Sequence, residues 1–363
     1  MKRFTCQSCG QLVFFENTRC DQCHAPLGYM PETASLAALV PMEKGLYHPL
    51  GQDKGDSTRA FCANHAYDVC NWLTPALQVQ DVFCFACQFN RVIPNLNIPG
   101  NMERWRKLEI AKHRLFYTIL RLRLPIKNRR QDPQEGLVFD FLDDTPQSWP
   151  PIMTGHSHGV ITIATKEADD AYREHMRVEM GEYYRTLLGH FRHEIGHYYW
   201  NVLIRDGGRL EQCRAVFGDD RTDYQSALQK HYARSTPDNW REHYVSHYAM
   251  SHPWEDFAET WAHYFHIVST LETALSYDMT IGPMVDGKSA PTHRSDPYLH
   301  MPFDDIMEAW LPLTYAVNSL NRSMGLADFY PFVLTAGVRT KLRFIHDVVR
   351  HVQRGSDQSS GLL

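Results

Sequence analysis

The most informative segment of the chain reads Leu187-Leu-Gly-His-Phe-Arg-His-Glu-Ile-Gly-His-Tyr-Tyr-Trp200. It places His193 and His197 four residues apart, about one helical turn, so both imidazoles leave the same helix face. Leucine, isoleucine and aromatic residues flank the pair on more than one side, which predicts a buried helix. Because buried imidazoles need a partner, a shared metal ion is the simplest interpretation.

The five residues from His193 to His197 form the H-E-x-x-H pattern of zinc peptidases. In that pattern the two histidines hold zinc, and Glu194 takes a proton from the attacking water. The same pattern also arises on solvated helix faces, where His and Glu are common. The apolar surroundings favour the metal site.

A catalytic zinc needs a third protein ligand and one open position. The candidates lie in His252-Pro-Trp-Glu-Asp-Phe-Ala-Glu259, where Pro253 suits the first position of a helix. Glu255 and Glu259 are one turn apart, and two buried carboxylates side by side are costly without a cation and a hydrogen-bond donor. We therefore expect one of them to bind zinc and the other to accept the free ring N–H of a zinc ligand.

Two C-x-x-C turns, Cys6-Gln-Ser-Cys9 and Cys20-Asp-Gln-Cys23, open the chain. Each turn presents two thiolates, so the pair predicts one structural zinc site. Such a small ribbon has little hydrophobic core, and we expect zinc to supply most of its folding free energy.

Four further cysteines predict a second structural zinc site, namely Cys62, Cys70, Cys84 and Cys87. His65 offers an imidazole at C-x-x-C spacing from Cys62 and is the alternative to Cys70. We favour Cys70, because a free thiol beside zinc would compete for it. Residues 24–60 contain Gly, Pro and polar residues with little periodicity, and they are predicted to link the two cysteine modules.

The composition indicates a globular chain of two or three domains, with 363 residues, 43% of them hydrophobic, and a net charge of −5. No apolar run approaches the roughly 20 residues of a membrane span, and no signal peptide is recognisable. We expect a cytoplasmic protein without a membrane partner. The segment Arg104 to Arg130 holds ten Lys or Arg residues and one acid. It either packs against acidic parts of the same protein or binds nucleic acid or an acidic partner.

Helices and two strands are predicted around the motif, which indicates an α+β fold that is mainly α. Asn101 suits the N-cap of a helix reaching Leu124, where Pro125 stops it. Residues 136–144 and 158–165 read as strands. The second strand is either an edge strand that pairs with substrate or a core strand.

The combination H-E-x-x-H with E-x-x-A-E resembles the gluzincin peptidases, and the two helices resemble the anthrax lethal factor group. That group has a tyrosine seven residues before the ligand glutamate, and Tyr248 and Glu255 fit this register. The resemblance implies Glu255 as zinc ligand, Glu259 as its neighbour behind the site, and Tyr248 as donor to the oxyanion. The competing assignment makes Glu259 the ligand and His263 its supporting residue.

Nearly the whole chain is similar to a bacterial family of zinc-ribbon-containing, zinc-binding metallopeptidases. We therefore expect a zinc ribbon (1–30), a second cysteine module (55–95), a gluzincin-like peptidase domain with a small sheet (100–352) and a disordered tail (353–363). The expected cofactors are one catalytic and two structural zinc ions, and the expected partner is a peptide or protein substrate. The rival hypothesis is a nucleic-acid- or protein-binding module with an inactive H-E-x-x-H domain.

Overall fold

The structure is a computed structural model that describes residues 1–52, 58–76, 82–144, 151–233, 237–279, 281 and 295–360. Contacts divide the chain into two compact units. Unit 1 comprises Met1–Arg121 and Ile126–Asp170, and unit 2 comprises Leu122–Pro125 and Ala171–Leu363. Every strand of the described residues lies in unit 1, while unit 2 is built from helices. The predicted α+β fold, mainly α, with cysteine modules at its start, is confirmed.

Unit 1 begins with two small antiparallel sheets. A two-stranded sheet carries the first cysteine pairs, and a five-stranded sheet follows with its strands in chain order. The strands are β1 (Phe4–Thr5), β2 (Leu12–Val13), β3 (Leu27–Met30), β4 (Ser35–Pro41), β5 (Tyr47–Pro49), β6 (Arg59–Phe61) and β7 (Leu73–Pro75).

The prediction of a linker over residues 24–60 is wrong for its described part, because this part forms most of the five-stranded sheet. All four residues of β3 are buried, and so are Leu36 to Leu39 of β4. Backbone pairing of Tyr29 with Trp72 also joins β3 to the region of β7. Strands of the five-stranded sheet, and not a loop, thus connect the two cysteine modules.

A four-stranded sheet and one long helix complete unit 1. The helix α1 (Asn101–Arg121) buries Trp105, Leu108 and Leu115 completely. The sheet contains β8 (Asn90–Val92), β9 (Val138–Leu142), β10 (Gly155–Ser157) and β11 (Val160–Ala164), in the order β10-β11-β9-β8. Strand β11 pairs with β10 on one side and β9 on the other. It is therefore a core strand, and its edges are not open to an extended substrate.

The sequence predicted that the peptidase domain begins at residue 100. Unit 1, however, continues past this residue and includes α1 and the four-stranded sheet. Strand β8 leaves the second cysteine module and pairs in parallel with β9. Side chains of α1 also contact Cys70 and Cys87. The cysteine module, α1 and the four-stranded sheet therefore share one core.

Basic residues of the segment Arg104 to Arg130 are paired with acids of the same unit. The ion pairs are Arg104–Asp169, Arg106–Asp68, Lys107–Asp170, Lys112–Glu109 and Arg114–Glu16. Lys112 and Glu109 are both fully buried. These pairs favour the first of the two alternatives, in which the segment packs against acidic parts of the same protein.

Unit 2 is organised around its longest buried helix, in which Phe257, Trp261 and Tyr264 are fully buried. This helix is α6 (Pro253–Ser276), and the other helices of this part of the chain are α2 (Asp170–Glu179), α3 (Leu187–Tyr199), α4 (Leu210–Phe217), α5 (Tyr224–Ala233), α7 (Phe303–Ser323) and α8 (Ala336–Ser360). A π-helical segment, Trp200–Arg205, follows α3 directly.

Helix α8 continues past residue 353, where the sequence predicted a disordered tail, and residues 361–363 lie outside the described part of the chain. The buried side-chain amide of Gln353 anchors the first residue of this segment. It donates to the carbonyl oxygens of Leu122 and Tyr298, both at 2.9 Å. A polar residue thus anchors the helix by satisfying buried carbonyl groups, which composition alone does not reveal.

Helices α3 and α6 approach closely at Gly196. A Cβ atom at this position would lie 2.9 Å from the Ala258 Cα and 3.2 Å from the Trp261 Cβ. We expect Gly196→Ala to destabilise unit 2 by about 1–3 kcal/mol, because the helices must separate. Thermal unfolding followed by circular dichroism measures this. Gly355→Ala on α8, where no atom lies within 4 Å of the added Cβ, is the matched control. Equal effects of the two substitutions would contradict the close approach.

His346 of α8 is buried against α6, with its Nδ1 in hydrogen-bond contact with the Tyr264 hydroxyl at 3.1 Å. Burial lowers the pKa of His346 to about 3; Arg350 and Arg343 add to this effect, and Asp304 opposes it. The unfolded chain takes up this proton below about pH 6.5, whereas the folded protein does so only near its lowered pKa. The neutral histidine therefore contributes stability above pH 6.5 that is lost as the pH falls.

Between pH 7 and pH 5.5 we expect this histidine to account for a stability loss of about 1 kcal/mol. The variant His346→Gln should lose less stability over this interval than the wild type, as measured by thermal unfolding at both pH values. The exposed His351, replaced in the same way, provides the control. The same pH dependence in all three proteins would contradict the prediction.

Candidate metal centres

Two capped helices bring the motif residues of unit 2 together. The Thr186 side chain accepts the backbone N–H of Gly189 at 3.0 Å and caps α3. Helix α6 begins at Pro253, as the sequence predicted, and the His252 side chain caps it by accepting the N–H of Trp254. Helices α3 and α6 pack against each other, so the histidines of α3 face the first turn of α6.

His193, His197 and Glu255 converge on one point. The His193 Nε2 lies 3.0 Å from the Glu255 Oε2 and 3.2 Å from the His197 Nε2, and the His197 Nε2 lies 3.4 Å from the same oxygen. Two nitrogen or oxygen ligands of a tetrahedral zinc ion, each about 2.0–2.1 Å from it, lie roughly 3.3 Å apart. The three side chains therefore fit a zinc ion as a donor set.

Glu259 lies behind His193. Its Oε1 accepts the His193 Nδ1–H at 2.7 Å, and its other oxygen accepts the Ser246 hydroxyl. This bond places a proton on Nδ1, so that in the neutral ring the Nε2 lone pair is directed toward Glu255, as is usual for a metal-binding histidine. Of the two candidate glutamates, the structure brings Glu255 to the converging nitrogens. His263, the supporting residue of the competing assignment, bonds instead to the Tyr330 hydroxyl at 2.7 Å.

The charge states of these side chains suit a metal site. Burial lowers the pKa of His197, which favours the neutral imidazole that a metal requires. Burial acts to raise the pKa of Glu255, but His197 and His193 outweigh it and hold the pKa well below its usual range. Burial acts to lower the pKa of His193, but Glu255 and Glu259 outweigh it and hold the pKa well above its usual range, so this imidazole would release a proton on binding a metal ion. His197 thus offers neutral nitrogen and Glu255 offers anionic oxygen.

Glu194, the predicted base, is only 6% exposed. Burial raises the pKa of its carboxyl to about 7. A carboxyl group with a pKa near neutrality exchanges protons readily at physiological pH, which suits general acid–base chemistry.

Two tyrosines lie at the same place. The ring of Tyr248, the predicted oxyanion donor, has its centroid 5.8 Å from that of His193. Tyr224, at the start of α5, donates its hydroxyl to the Glu255 Oε1 at 2.6 Å and also bonds to Tyr248. Burial and the charge of Glu255 raise the pKa of both hydroxyls, so both stay protonated.

Sequence reasoning missed Tyr224 and also Trp254, whose ring lies on the His197 imidazole with the centroids 3.7 Å apart. No motif spacing connects residue 224 with residue 255, since the two belong to different helices. The sequence contained no signal that would have identified Tyr224.

The first four cysteines cluster at the two-stranded sheet. Their Sγ atoms all lie within 4.8 Å of one another, with Cys6 and Cys23 at 3.6 Å and Cys9 and Cys20 also at 3.6 Å. Four thiols at such distances suit one tetrahedral zinc ion.

The second cluster consists of Cys62, Cys70, Cys84 and Cys87, again within 4.8 Å of one another and all buried. Backbone N–H groups donate to its sulfur atoms. The N–H of Cys84 points at the Cys62 Sγ at 3.3 Å, and the N–H of Trp72 points at the Cys70 Sγ at 3.4 Å. The alternative ligand His65 turns its Nδ1 to the Cys70 carbonyl oxygen at 2.9 Å and stacks on Phe61. The structure thus brings Cys70, and not His65, to the other sulfur atoms.

Helix α1 adds two side chains to this second cluster that the sequence did not single out. The potential ligand atoms of Glu109, His113 and Cys87 all lie within 4.8 Å of one another. Their one-turn spacing is visible in the sequence, but nothing there connects α1 to the cysteines.

None of the helices in the described ranges combines the length and the apolar character that crossing a bilayer requires.

Comparison with known sequences gives two family matches. Residues 101–348 match a family described as "Putative zinc-binding metallo-peptidase", and residues 3–98 match one described as "zinc-ribbon domain". Both cysteine clusters fall in the second match, and all residues of the histidine site fall in the first.

Relatives occur in mycobacteria. Proteins of Mycobacterium tuberculosis and Mycobacterium bovis, each named "Uncharacterized protein", are 40% identical over 353 residues. These alignments cover 97% of this chain and 96% of each relative. No solved structure matches the chain.

Proposed function

The chain belongs to the zinc-binding metallopeptidase family with an N-terminal zinc ribbon, and from this premise we propose that it hydrolyses peptide bonds in a peptide or protein substrate. One observation carries the proposal. The Nε2 atoms of His193 and His197 and the Oε2 atom of Glu255 lie 3.0–3.4 Å apart, and the buried carboxyl of Glu194 is next to His193 in the chain. Structural zinc sites use four protein ligands, whereas three ligands with an adjacent acid are typical of catalytic sites.

His193, His197 and Glu255 are the residues that would hold the zinc ion. When bound there, zinc would act as a Lewis acid on the scissile carbonyl group and lower the pKa of the attacking water. Glu259 fixes the orientation of His193 through the 2.7 Å hydrogen bond to its Nδ1. Tyr224 holds the second oxygen of Glu255, which keeps that carboxylate in a single orientation.

Glu194 performs the proton transfers. It accepts a proton from the attacking water and passes it to the amine that leaves. The raised pKa of its carboxyl supports both roles, because the group takes and gives a proton near pH 7. Tyr248 donates its hydroxyl to the carbonyl oxygen as negative charge develops there, and its protonated state suits a donor.

The two cysteine clusters have a different role. In each cluster, four thiolates would close the coordination shell of one zinc ion. The two ions would therefore be structural. We propose that unit 1, folded around them, recognises the substrate or a partner protein.

A peptide-library experiment tests the proposal. The full chain, loaded with zinc, is incubated with peptides from a digested proteome, and new termini are identified by mass spectrometry. We expect cleavage that 1,10-phenanthroline abolishes and added zinc restores. Absence of new termini, with zinc content verified in the same sample, would reject hydrolysis and favour the rival hypothesis of a binding module.

A further inference from the structure

The second cysteine cluster has a fifth donor. The Nε2 of His113, on α1, lies 3.4 Å from the Cys70 Sγ and 3.8 Å from the Cys87 Sγ. A nitrogen ligand about 2.05 Å and a sulfur ligand about 2.3 Å from one tetrahedral zinc ion are roughly 3.5 Å apart. Both distances therefore correspond to ligands that share one ion.

The tautomer of His113 suits metal binding. Its Nδ1 lies 2.6 Å from the backbone carbonyl oxygen of Glu109. Because a carbonyl oxygen only accepts, Nδ1 carries a proton, and in the neutral ring the Nε2 lone pair faces the sulfur atoms. A ring N–H donated to a carbonyl oxygen is the usual support of a histidine that ligates metal.

Glu109 is also near Cys87, but its carboxylate is already occupied. One oxygen accepts the side-chain N–H groups of Asn90 at 2.6 Å and Trp105 at 3.1 Å, and the other pairs with Lys112 at 2.8 Å. Freeing this carboxylate would leave Lys112 as an uncompensated buried charge. His113 is therefore the side chain of α1 that is suited to bind metal.

A cavity of about 300 Å³ reaches the cluster from one side. Cys70 and His113 line it, together with residues such as Asn17, Asp21 and Arg106, whereas Cys62, Cys84 and Cys87 are absent from its lining. Of the four cysteines, Cys70 is thus the one that borders this cavity.

We propose that His113 is a reserve ligand of the second cysteine site and takes the place of Cys70 when the Cys70 sulfur leaves the metal. The site then holds zinc through Cys62, Cys84, Cys87 and His113. Cys70 becomes an exchangeable thiol that can react, facing the cavity, while the metal and the fold of unit 1 are retained.

Zinc counts of single and double variants of the full chain test this exchange. Cys70→Ala is expected to keep the zinc content of the wild type, whereas Cys62→Ala loses one ion per chain. His113→Ala alone keeps the wild-type content, because four thiols remain. Cys70→Ala/His113→Ala loses one ion per chain. Inductively coupled plasma mass spectrometry measures the counts.

Two outcomes would overturn the proposal. Loss of one zinc ion from Cys70→Ala, with or without loss of folding, shows that His113 does not replace the thiol. Retention of zinc in Cys70→Ala/His113→Ala shows that some other group does.

Alkylation of the wild-type protein provides a second measurement that needs no substituted cysteine. Iodoacetamide is expected to label Cys70 before the other three thiols while the zinc content stays constant. In His113→Ala the same labelling of Cys70 should release one zinc ion per chain. Equal labelling of the four thiols, or equal zinc release from the two proteins, would contradict the exchange.

Discussion

Replacement of Glu194 by glutamine is expected to lower kcat for peptide hydrolysis by about 10² to 10⁴-fold, the usual contribution of a general base. Glutamine has nearly the shape of glutamate but cannot accept a proton from water. The three converging donors are unchanged, so zinc content should equal that of the wild type. Hydrolysis of a peptide identified from the library, measured with zinc content in the same samples, gives the result.

A glutamate on the surface of the same unit provides the control. Glu211 of α4 is exposed and pairs with Arg214, and Glu211→Gln should leave kcat unchanged. A Glu194→Gln variant that keeps both its zinc and its activity would reject Glu194 as the base. A variant that loses zinc would instead assign Glu194 a part in holding the metal.

Loss of the second cysteine site is expected to unfold unit 1. Structural zinc contributes roughly 10–16 kcal/mol in small zinc modules, which is as large as the whole stability of a typical domain. The double variant Cys84→Ser/Cys87→Ser removes two of the four thiols. Even with His113, the remaining donors are then too few for a closed zinc site, whereas loss of Cys70 alone leaves enough. Amides of β6, β7 and α1 should lose their protection from hydrogen exchange.

The ninth cysteine provides the matched control for this experiment. Cys213 is buried in α4 and lies outside both cysteine clusters. Cys213→Ser should therefore leave the zinc content and the exchange of α1 unchanged. If α1 kept its protection in the double variant, unit 1 would not depend on this site for its fold.

Local spacing explains which parts of the site the sequence predicts. His193 and His197 share a helix face because they are one turn apart, and Pro253 with the acids after it indicates where α6 begins. The placement of Glu255 ahead of Glu259 came from the resemblance to a known peptidase group. Spacing alone left that choice open, because two acids one turn apart are equivalent until the opposing helix is positioned.

The remaining parts depend on contacts between distant residues. Tyr224 reaches Glu255 across 31 positions, and His113 reaches Cys70 across 43. Neither distance in sequence corresponds to a helical or strand period. The five-stranded sheet was missed for a related reason. Its strands are short, and β3 and the first half of β4 are buried on both faces, so they lack the alternation by which a half-buried strand is recognised.

The central claim is that α3 and α6 together hold a zinc ion in addition to those of the cysteine clusters. Metal analysis of the purified full chain tests it most directly. The account predicts three zinc ions per chain in the wild type and two in His193→Ala/His197→Ala, with the helical content of the two proteins equal by circular dichroism. The same zinc count in both proteins would contradict it, because the histidines would then hold no metal.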